Sequence, residues 1–316
     1  VVWVVRRDGI AARRSPVTRA EVAARVASLR SRLQELAPVD AEIAALSEAL
    51  LAPAMDALAG ARRVGIVPHR ELHTLPFAAL RERAGGALLL DRFALFHLPS
   101  ASVFPYSVGR RSAEPRGRQE LRMLAVGNPE TGLPGADLPF AEKEAERLRY
   151  EFPNITIATG EAATEEWVAA NAAGYDVIHI ASHGEYNPLA PMVSGLLLAG
   201  GEGGGESRLT TEDVFALPLA ADLVTLSACQ TGLGRATAGD EVVGLNRAFL
   251  YAGTRQIVST LWRVDDIATA VLFKHFYRND RDLDRAEALR QAQLRVAARY
   301  PHPAYWSGVA LTGDWR

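Results

Sequence analysis

The single cysteine of the chain, Cys229, follows an apolar, β-branched run and precedes glycine-rich sequence. Residues 223–226 have the composition of a strand that is covered on both faces. Gly232 and Gly234 indicate that the strand ends soon after Cys229. Ligands of open α/β sheets bind at the carboxyl ends of parallel strands, so the position marks Cys229 as a candidate nucleophile.

A second apolar run, residues 176–181, ends in the same manner at His183 and Gly184. If these two strands are neighbours in one sheet, the imidazole and the thiol meet at one edge. A thiol becomes an effective nucleophile when a nearby histidine takes its proton or stabilises the thiolate. The backbone N–H groups of Gly184 and Cys229 would then lie in reach of an oxyanion.

Other readings of these residues remain open. A lone cysteine is most often a small buried hydrophobe, which is the alternative for Cys229. His179 precedes His183 by four residues, but the segment has a strand pattern and no glutamate follows His179. We therefore expect a hydrogen-bonded histidine, either in the core or next to the site residues, and no zinc site. Ser182 and Ser227 are expected to be hydrogen-bonded hydroxyls at strand ends.

Several motifs in chain order resemble the CHAT family, which belongs with caspases, separases and gingipains among the caspase-fold cysteine peptidases. The resemblance covers roughly the last two thirds of the chain, and motifs in register are more specific than any one alone. The motifs are His-x-x-x-His-Gly at 179–184, Leu-Ser-Ala-Cys-Gln-Thr-Gly at 226–232, Gly-Asp-Glu-Val-Val-Gly at 239–244, Ser-Thr-Leu-Trp-Arg-Val-Asp-Asp at 259–266, and a closing strand near 311–315.

The resemblance implies an α/β, caspase-like three-layer fold with a mostly parallel sheet between helices. It implies a smaller pseudo-caspase-like α/β half before that fold. We therefore expect a hairpin and helical segment at 1–60, the pseudo-caspase-like half at 61–117 and the active peptidase domain at 118–316. Within the middle segment, residues 88–90 and 93–96 are predicted to be strands, and residues 109–117 a linker.

The resemblance also implies a cysteine endopeptidase with a His183–Cys229 dyad. In separases the segment that matches residues 259–266 helps to form the pocket for an arginine before the scissile bond. Carried over, Asp266 is the best candidate for an acidic pocket wall that would bind a basic side chain. The remaining pocket candidates are Asp265, Asp240, its neighbour Glu241, and Trp262 as a packing residue at the pocket edge. For Asp265 and Asp266 the alternative is an N-cap of the following helix.

Two rival functions are a catalytically silent caspase-fold scaffold and a thiol acyl hydrolase acting on a non-peptide substrate. For the peptidase, the expected partners are a protein or peptide substrate and a regulatory partner or fused repeat or sensor domain. The loop 230–239, which contains three glycines including Gly239, is expected to be mobile and to be ordered by such a partner.

The composition and net charge limit the classes of partner and the cellular compartment that the protein can have. The formal net charge of −2 over 316 residues gives no electrostatic footprint for nucleic acid or an anionic membrane. One cysteine excludes an internal disulfide and fits a reducing, cytoplasmic compartment. No motif indicates a cofactor or a metal, and no apolar run is long enough to cross a bilayer. Arginine- and alanine-rich usage is typical of a GC-rich, bacterial genome, and an opening Val1 suggests a fragment of a longer protein.

Overall fold

The computed structural model describes residues 1–109, 117–185, 187, 189–201, 206–227, 229–230, 240–262 and 265–316, with the backbone alone at 107–109, 206, 229–230 and 240–243. The strands are β1 (Val2–Arg6), β2 (Gly9–Arg13), β3 (Arg63–Ile66), β4 (Ala94–His97), β5 (Arg122–Pro129), β6 (Asn154–Gly160), β7 (Val177–Ala181), β8 (His183–Glu185), β9 (Gly195–Ala199), β10 (Glu206–Thr210), β11 (Leu223–Leu226), β12 (Cys229–Gln230), β13 (Gln256–Thr260) and β14 (Val309–Gly313). The α-helices are α1 (Arg19–Gln34), α2 (Asp40–Leu50), α3 (Leu89–Arg92), α4 (Phe104–Gly109), α5 (Pro139–Arg147), α6 (Glu165–Asn171), α7 (Thr211–Ala216), α8 (Asp240–Ala252), α9 (Asp266–Asn279) and α10 (Arg285–Arg299).

An eight-stranded sheet with the order β3-β4-β14-β13-β11-β7-β5-β6 forms the centre of the fold. Every neighbouring pair is parallel except β13 and β14, which are antiparallel. Strands β7, β11 and β13 are buried along their whole length, as expected for strands covered on both faces. Strands β7 and β11 are neighbours, which is the condition for His183 and Cys229 to meet at one edge of the sheet.

Helices cover both faces of this sheet and create two apolar cores. One core includes side chains of α5, α9 and α10, and the other includes side chains of α6, α7 and α8. Because side chains alternate along a strand, β13 contributes Val258 to the first core and Ile257 to the second. The result is the three-layer α/β architecture that the resemblance implied.

A smaller sheet with the order β10-β9-β8-β12 continues from the carboxyl ends of β7 and β11. Only Ser182 separates β7 from β8, so the histidine strand passes directly from the large sheet into the small one. The cysteine strand makes the same passage between β11 and β12. Both segments therefore leave the large sheet at one edge and pair again beyond it.

The N-terminal segment contains the predicted hairpin, β1 paired antiparallel with β2. Helix α1 begins at a capping box in which Thr18 and Glu21 exchange hydrogen bonds. Leu29 and Leu33 of α1 and Leu46 of α2 lie in the first apolar core, so these helices pack onto the body of the fold.

The prediction of a strand at residues 88–90 is wrong, because helix α3 occupies 89–92. The Asp91 carboxylate accepts a hydrogen bond from the backbone N–H of Leu88 at 2.9 Å, which stabilises a helical turn.

Strands β3 and β4 of the predicted middle segment lie in the same sheet as the later strands. The division at residues 60 and 117 stays a prediction, and most of the proposed linker, 110–116, lies outside the described residues.

Among the described residues, no helix combines the length and the apolar character needed to cross a bilayer.

His97 is a titratable residue on β4, at the position where this strand pairs with β14. Its Nδ1 donates to the carbonyl oxygen of Leu311 at 3.3 Å. Burial lowers the pKa of His97 from 6.5 to about 4, the Leu311 carbonyl opposes this shift, and nearby His73 adds to it. The folded state therefore favours the neutral ring.

We predict that His97 makes the free energy of unfolding depend on pH between about 6.5 and 4. Above this window the ring is neutral in both states; within it the unfolded chain binds the proton first, so stability falls as pH falls, by about 3 kcal/mol at most. Urea titrations at several pH values measure the effect. The variant His97→Asn should have a shallower slope, whereas the exposed control His69→Asn should keep the wild-type slope; equal slopes in all three proteins would contradict the assignment.

Candidate active site

The backbone brings His183 and Cys229 to directly paired positions. Strand β8 runs parallel to β12, with Cys229 opposite His183 and Gln230 opposite Gly184. Paired strands lie about 4.8 Å apart, so the backbone positions of His183 and Cys229 are adjacent across the two strands. The short parallel pairing of β8 with β12 therefore contains the two predicted catalytic residues and the predicted oxyanion residue Gly184.

The imidazole of His183 is half-buried, and its Nε2 has a backbone partner. Its Nε2 lies 2.9 Å from the carbonyl oxygen of Ala136, in the loop between β5 and α5. Because a carbonyl oxygen only accepts, Nε2 carries the proton. In the neutral ring, Nδ1 is then the basic nitrogen. The ring thus has the tautomer in which Nδ1 can receive a proton.

Of the two serines near the pair, Ser182 has the hydrogen-bonded hydroxyl that the sequence predicted, whereas the hydrogen bond of the Ser227 hydroxyl stays a prediction. Ser182 is buried, and its hydroxyl donates to the carbonyl oxygen of His183 at 3.2 Å. Ser227 joins β11 to its neighbour through a backbone N–H that donates to the Ile180 carbonyl oxygen at 2.9 Å. Ser182 thereby ties down the backbone of the histidine itself.

His179 lies in the interior of the large sheet, four residues before His183. It is fully buried, and its Nδ1 is 3.1 Å from the hydroxyl of Tyr277, which donates to Thr225 at 2.8 Å. Its Nε2 is 2.9 Å from Oε1 of buried Glu144, a close contact that lacks good hydrogen-bond alignment. The prediction of a hydrogen-bonded core histidine is confirmed.

This buried polar cluster ties the large sheet to the helices on one of its faces. His179 belongs to β7, Glu144 to α5, Tyr277 to α9 and Thr225 to β11. Burial raises the pKa of the Tyr277 hydroxyl far above its usual range, so the group remains a neutral donor. The strands that carry the histidine and the cysteine are therefore cross-linked by one hydroxyl bridge.

The predicted pocket acids have different environments. Asp265 is the N-cap of α9, and its carboxylate accepts from the Ala268 N–H at 2.8 Å. Asp266 is the exposed first residue of the same helix, and Asp240 is the first residue of α8. Trp262 is almost fully buried, and its Nε1 donates to the Ala304 carbonyl oxygen at 3.3 Å. Capping therefore accounts for Asp265, while Asp266 has a position open to solvent.

Sequence reasoning missed the carbonyl oxygen of Ala136 and the side chains of Glu144 and Tyr277. Any residue offers a carbonyl oxygen, so the residue type at 136 gives no signal. Glu144 and Tyr277 lie on helical faces where a buried acid or hydroxyl has no local marker. The expected mobile loop 230–239, apart from Gln230, lies outside the described residues.

We predict that Tyr277→Phe lowers the free energy of unfolding by about 1–3 kcal/mol, because it leaves buried groups of His179 and Thr225 without a partner. The matched control is Tyr175→Phe, which removes an exposed hydroxyl that also donates to a threonine, Thr156, at 2.8 Å. Chemical denaturation of both variants measures the difference. Equal losses would show that the buried bridge contributes no more than a surface hydrogen bond.

Comparison with known sequences finds long repeat proteins. The chain is 28% identical over 300 residues to mouse (Mus musculus) tetratricopeptide repeat protein 28, and 27% identical over 299 residues to the human (Homo sapiens) protein. Each alignment covers 80% of this chain and 12% of the relative, so the chain spans about an eighth of the length of these proteins.

Comparison with solved structures finds the same architecture in separase. The chain matches a crystal structure of the Saccharomyces cerevisiae separase–securin complex with a TM-score of 0.54 and 14% identity, over 79% of this chain and 15% of that one. At this identity the likeness concerns the fold alone, and it agrees with the caspase-like arrangement of strands. The CHAT domain matches residues 40–314, most of the chain. The protein therefore belongs to the CHAT domain family.

Proposed function

We propose that this protein is a cysteine endopeptidase in which Cys229 is the nucleophile and His183 the base. The parallel pairing of Cys229 with His183 is the observation that carries the proposal. The hydrogen bond from His183 Nε2 to the Ala136 carbonyl oxygen supports it, because it leaves Nδ1 as the proton acceptor. Membership of the CHAT family is consistent with this chemistry.

The proposed reaction is acyl transfer through a thioester. His183 Nδ1 takes the proton of the Cys229 thiol, and the sulfur attacks the carbonyl carbon of the scissile peptide bond. Backbone N–H groups of Gly184 and Cys229 stabilise the resulting oxyanion. The imidazolium returns its proton to the leaving amine as the C–N bond breaks. Water, deprotonated by the same ring, then hydrolyses the thioester.

The proposed substrate has a basic residue before the scissile bond. Asp266 is an exposed carboxylate next to the segment that follows β13, and β13 is the strand adjacent to β11. A carboxylate in this position would bind arginine bidentately and lysine less well. Asp265 is the N-cap of α9, and Asp266 is the better match to the acid of the separase segment, so we assign the pocket role to Asp266.

We further propose that a partner or an additional segment regulates the activity. The sequence relatives are tetratricopeptide repeat proteins far longer than this chain, which supports a fused repeat region as one source of control. One solved structure of similar fold is a complex of separase with securin, which is consistent with a bound protein partner.

The first test is cleavage of a peptide library varied at the residue before the scissile bond. We expect cleavage after arginine and, more slowly, after lysine, with complete loss in Cys229→Ala. Cleavage after acidic or apolar residues would retain the peptidase and refute the basic pocket. If neither this chain alone nor the chain fused to a tetratricopeptide repeat region cleaves any peptide, the result would favour the scaffold. Turnover of small thioesters without peptide cleavage would favour the acyl hydrolase.

The pocket assignment has its own matched pair of variants. Asp266→Asn removes the charge at the proposed pocket, and we expect kcat/KM for arginine peptides to fall by about ten- to a hundred-fold, as for loss of a charge-assisted hydrogen bond. Asp265→Asn keeps a capping side chain and should leave kcat/KM nearly unchanged. The reverse order of effects would transfer the pocket role to Asp265.

A further inference from the structure

We propose that Asn128 is a positioning residue for His183: it fixes the loop whose Ala136 carbonyl holds Nε2 of the imidazole. The inference rests on the proposed function, because it assigns Asn128 a role in orienting the proposed base. The effect of Asn128 on His183 passes through the chain segment 136–138.

The backbone at Asn128 is unusual and directs its side chain. Its φ is +49°, in the left-handed region that non-glycine residues seldom adopt. The pairing of β5 with β6 shifts register between Gly127 and Pro129, so Asn128 is the extra residue of a bulge. Bulges redirect a side chain away from the regular alternation of the strand. Asparagine is one of the few residues that tolerate this conformation.

The side chain of Asn128 makes its hydrogen bonds to the residues that follow Ala136. Its Oδ1 accepts from the Leu138 N–H at 2.6 Å, and its Nδ2 donates to Oδ1 of Asp137 at 2.8 Å. A longer contact of 3.4 Å joins Nδ2 to Oε2 of Glu142 in the first turn of α5. The two residues next to Ala136 in the chain are thus held from the end of β5.

The anchor itself is rigid because α5 packs closely on β5. A Cβ atom added to Gly127 would lie 2.6 Å from the Cβ of Ala145 and 2.7 Å from the carbonyl oxygen of Ala141, so only glycine permits this approach. The loop between β5 and α5 turns at Gly132 and Gly135, both with positive φ. Asn128 therefore supplies the link between a fixed strand end and the carbonyl that selects the tautomer of His183.

An amide suits this position because the surrounding groups require one acceptor and one donor. A carboxylate could accept from Leu138 but would face Asp137 and Glu142 with like charge. Glycine would keep the left-handed backbone and lose every side-chain hydrogen bond. These two replacements separate the role of the side chain from that of the backbone.

The test compares the wild type with Asn128→Gly and Asn128→Asp by two readouts. The first is the imidazole tautomer of His183, from ¹⁵N–¹H correlation spectra of histidine-labelled protein. The second is the rate at which iodoacetamide alkylates Cys229 as a function of pH. We expect the wild type to show a single Nε2–H tautomer. Both variants should show a mixture and a roughly ten-fold slower alkylation at neutral pH, the size of one lost hydrogen bond.

Asn154→Ala is the matched control, since Asn154 also makes a side-chain hydrogen bond, to the Gln119 carbonyl oxygen at 2.6 Å, at the opposite end of β6. It should change neither readout, even if thermal stability falls equally. If Asn128→Gly does not fold, Asp137→Ala removes one acceptor at an exposed position and should shift both readouts in the same direction.

The outcomes also separate this inference from the proposed function. A wild type that cleaves no peptide, with a tautomer that responds to Asn128→Gly, would refute the peptidase and retain the positioning role. A wild type that cleaves peptides, with a tautomer and an alkylation rate that do not respond in the folded variants, would refute the positioning role alone. A wild-type His183 without the Nε2–H tautomer would also overturn it.

Discussion

The parallel adjacency of β7 and β11 is the constraint on which the rest of the site depends. Two parallel neighbours end at the same edge of the sheet, so the segments that follow them can pair a second time. They do so as β8 and β12, and the second pairing brings His183 opposite Cys229. If the strands were separated by one more strand, twice the interstrand distance of about 4.8 Å would part the two residues.

Helix α5 contacts both the buried polar cluster around His179 and the loop that reaches His183. Its residue Glu144 contacts His179 inside the large sheet, and the turn before it is held by Asn128 at the end of β5. Buried polar groups are costly unless partnered, so the cluster around His179 favours one register of strands and helices. The same helix that completes the polar cluster therefore fixes the loop that reaches His183.

The sequence predicted correctly most of the helices and strands that depend on neighbouring residues alone. Helices α6, α7 and α10 begin at Thr164, Thr210 and Asp284, which are residue types that favour N-caps, and each side chain accepts from an N–H only three residues ahead. The buried strands carry continuous apolar runs that are hard to mistake. The prediction for residues 88–90 is wrong because a short run of leucines is compatible with a strand and with a helix. The hydrogen bond between the Leu88 N–H and the Asp91 carboxylate stabilises the helical turn.

The sequence by itself determined which residue types end the two central strands, since strand composition, glycine breaks and the motif order around His183 and Cys229 are written locally. Tertiary structure alone decided what surrounds them. Ala136 lies 47 residues from His183, and Tyr277 lies 98 residues from His179. A backbone carbonyl carries no residue-specific signal, and a buried hydroxyl or carboxylate finds its partner only when distant layers pack, so these contacts arise from the folded arrangement.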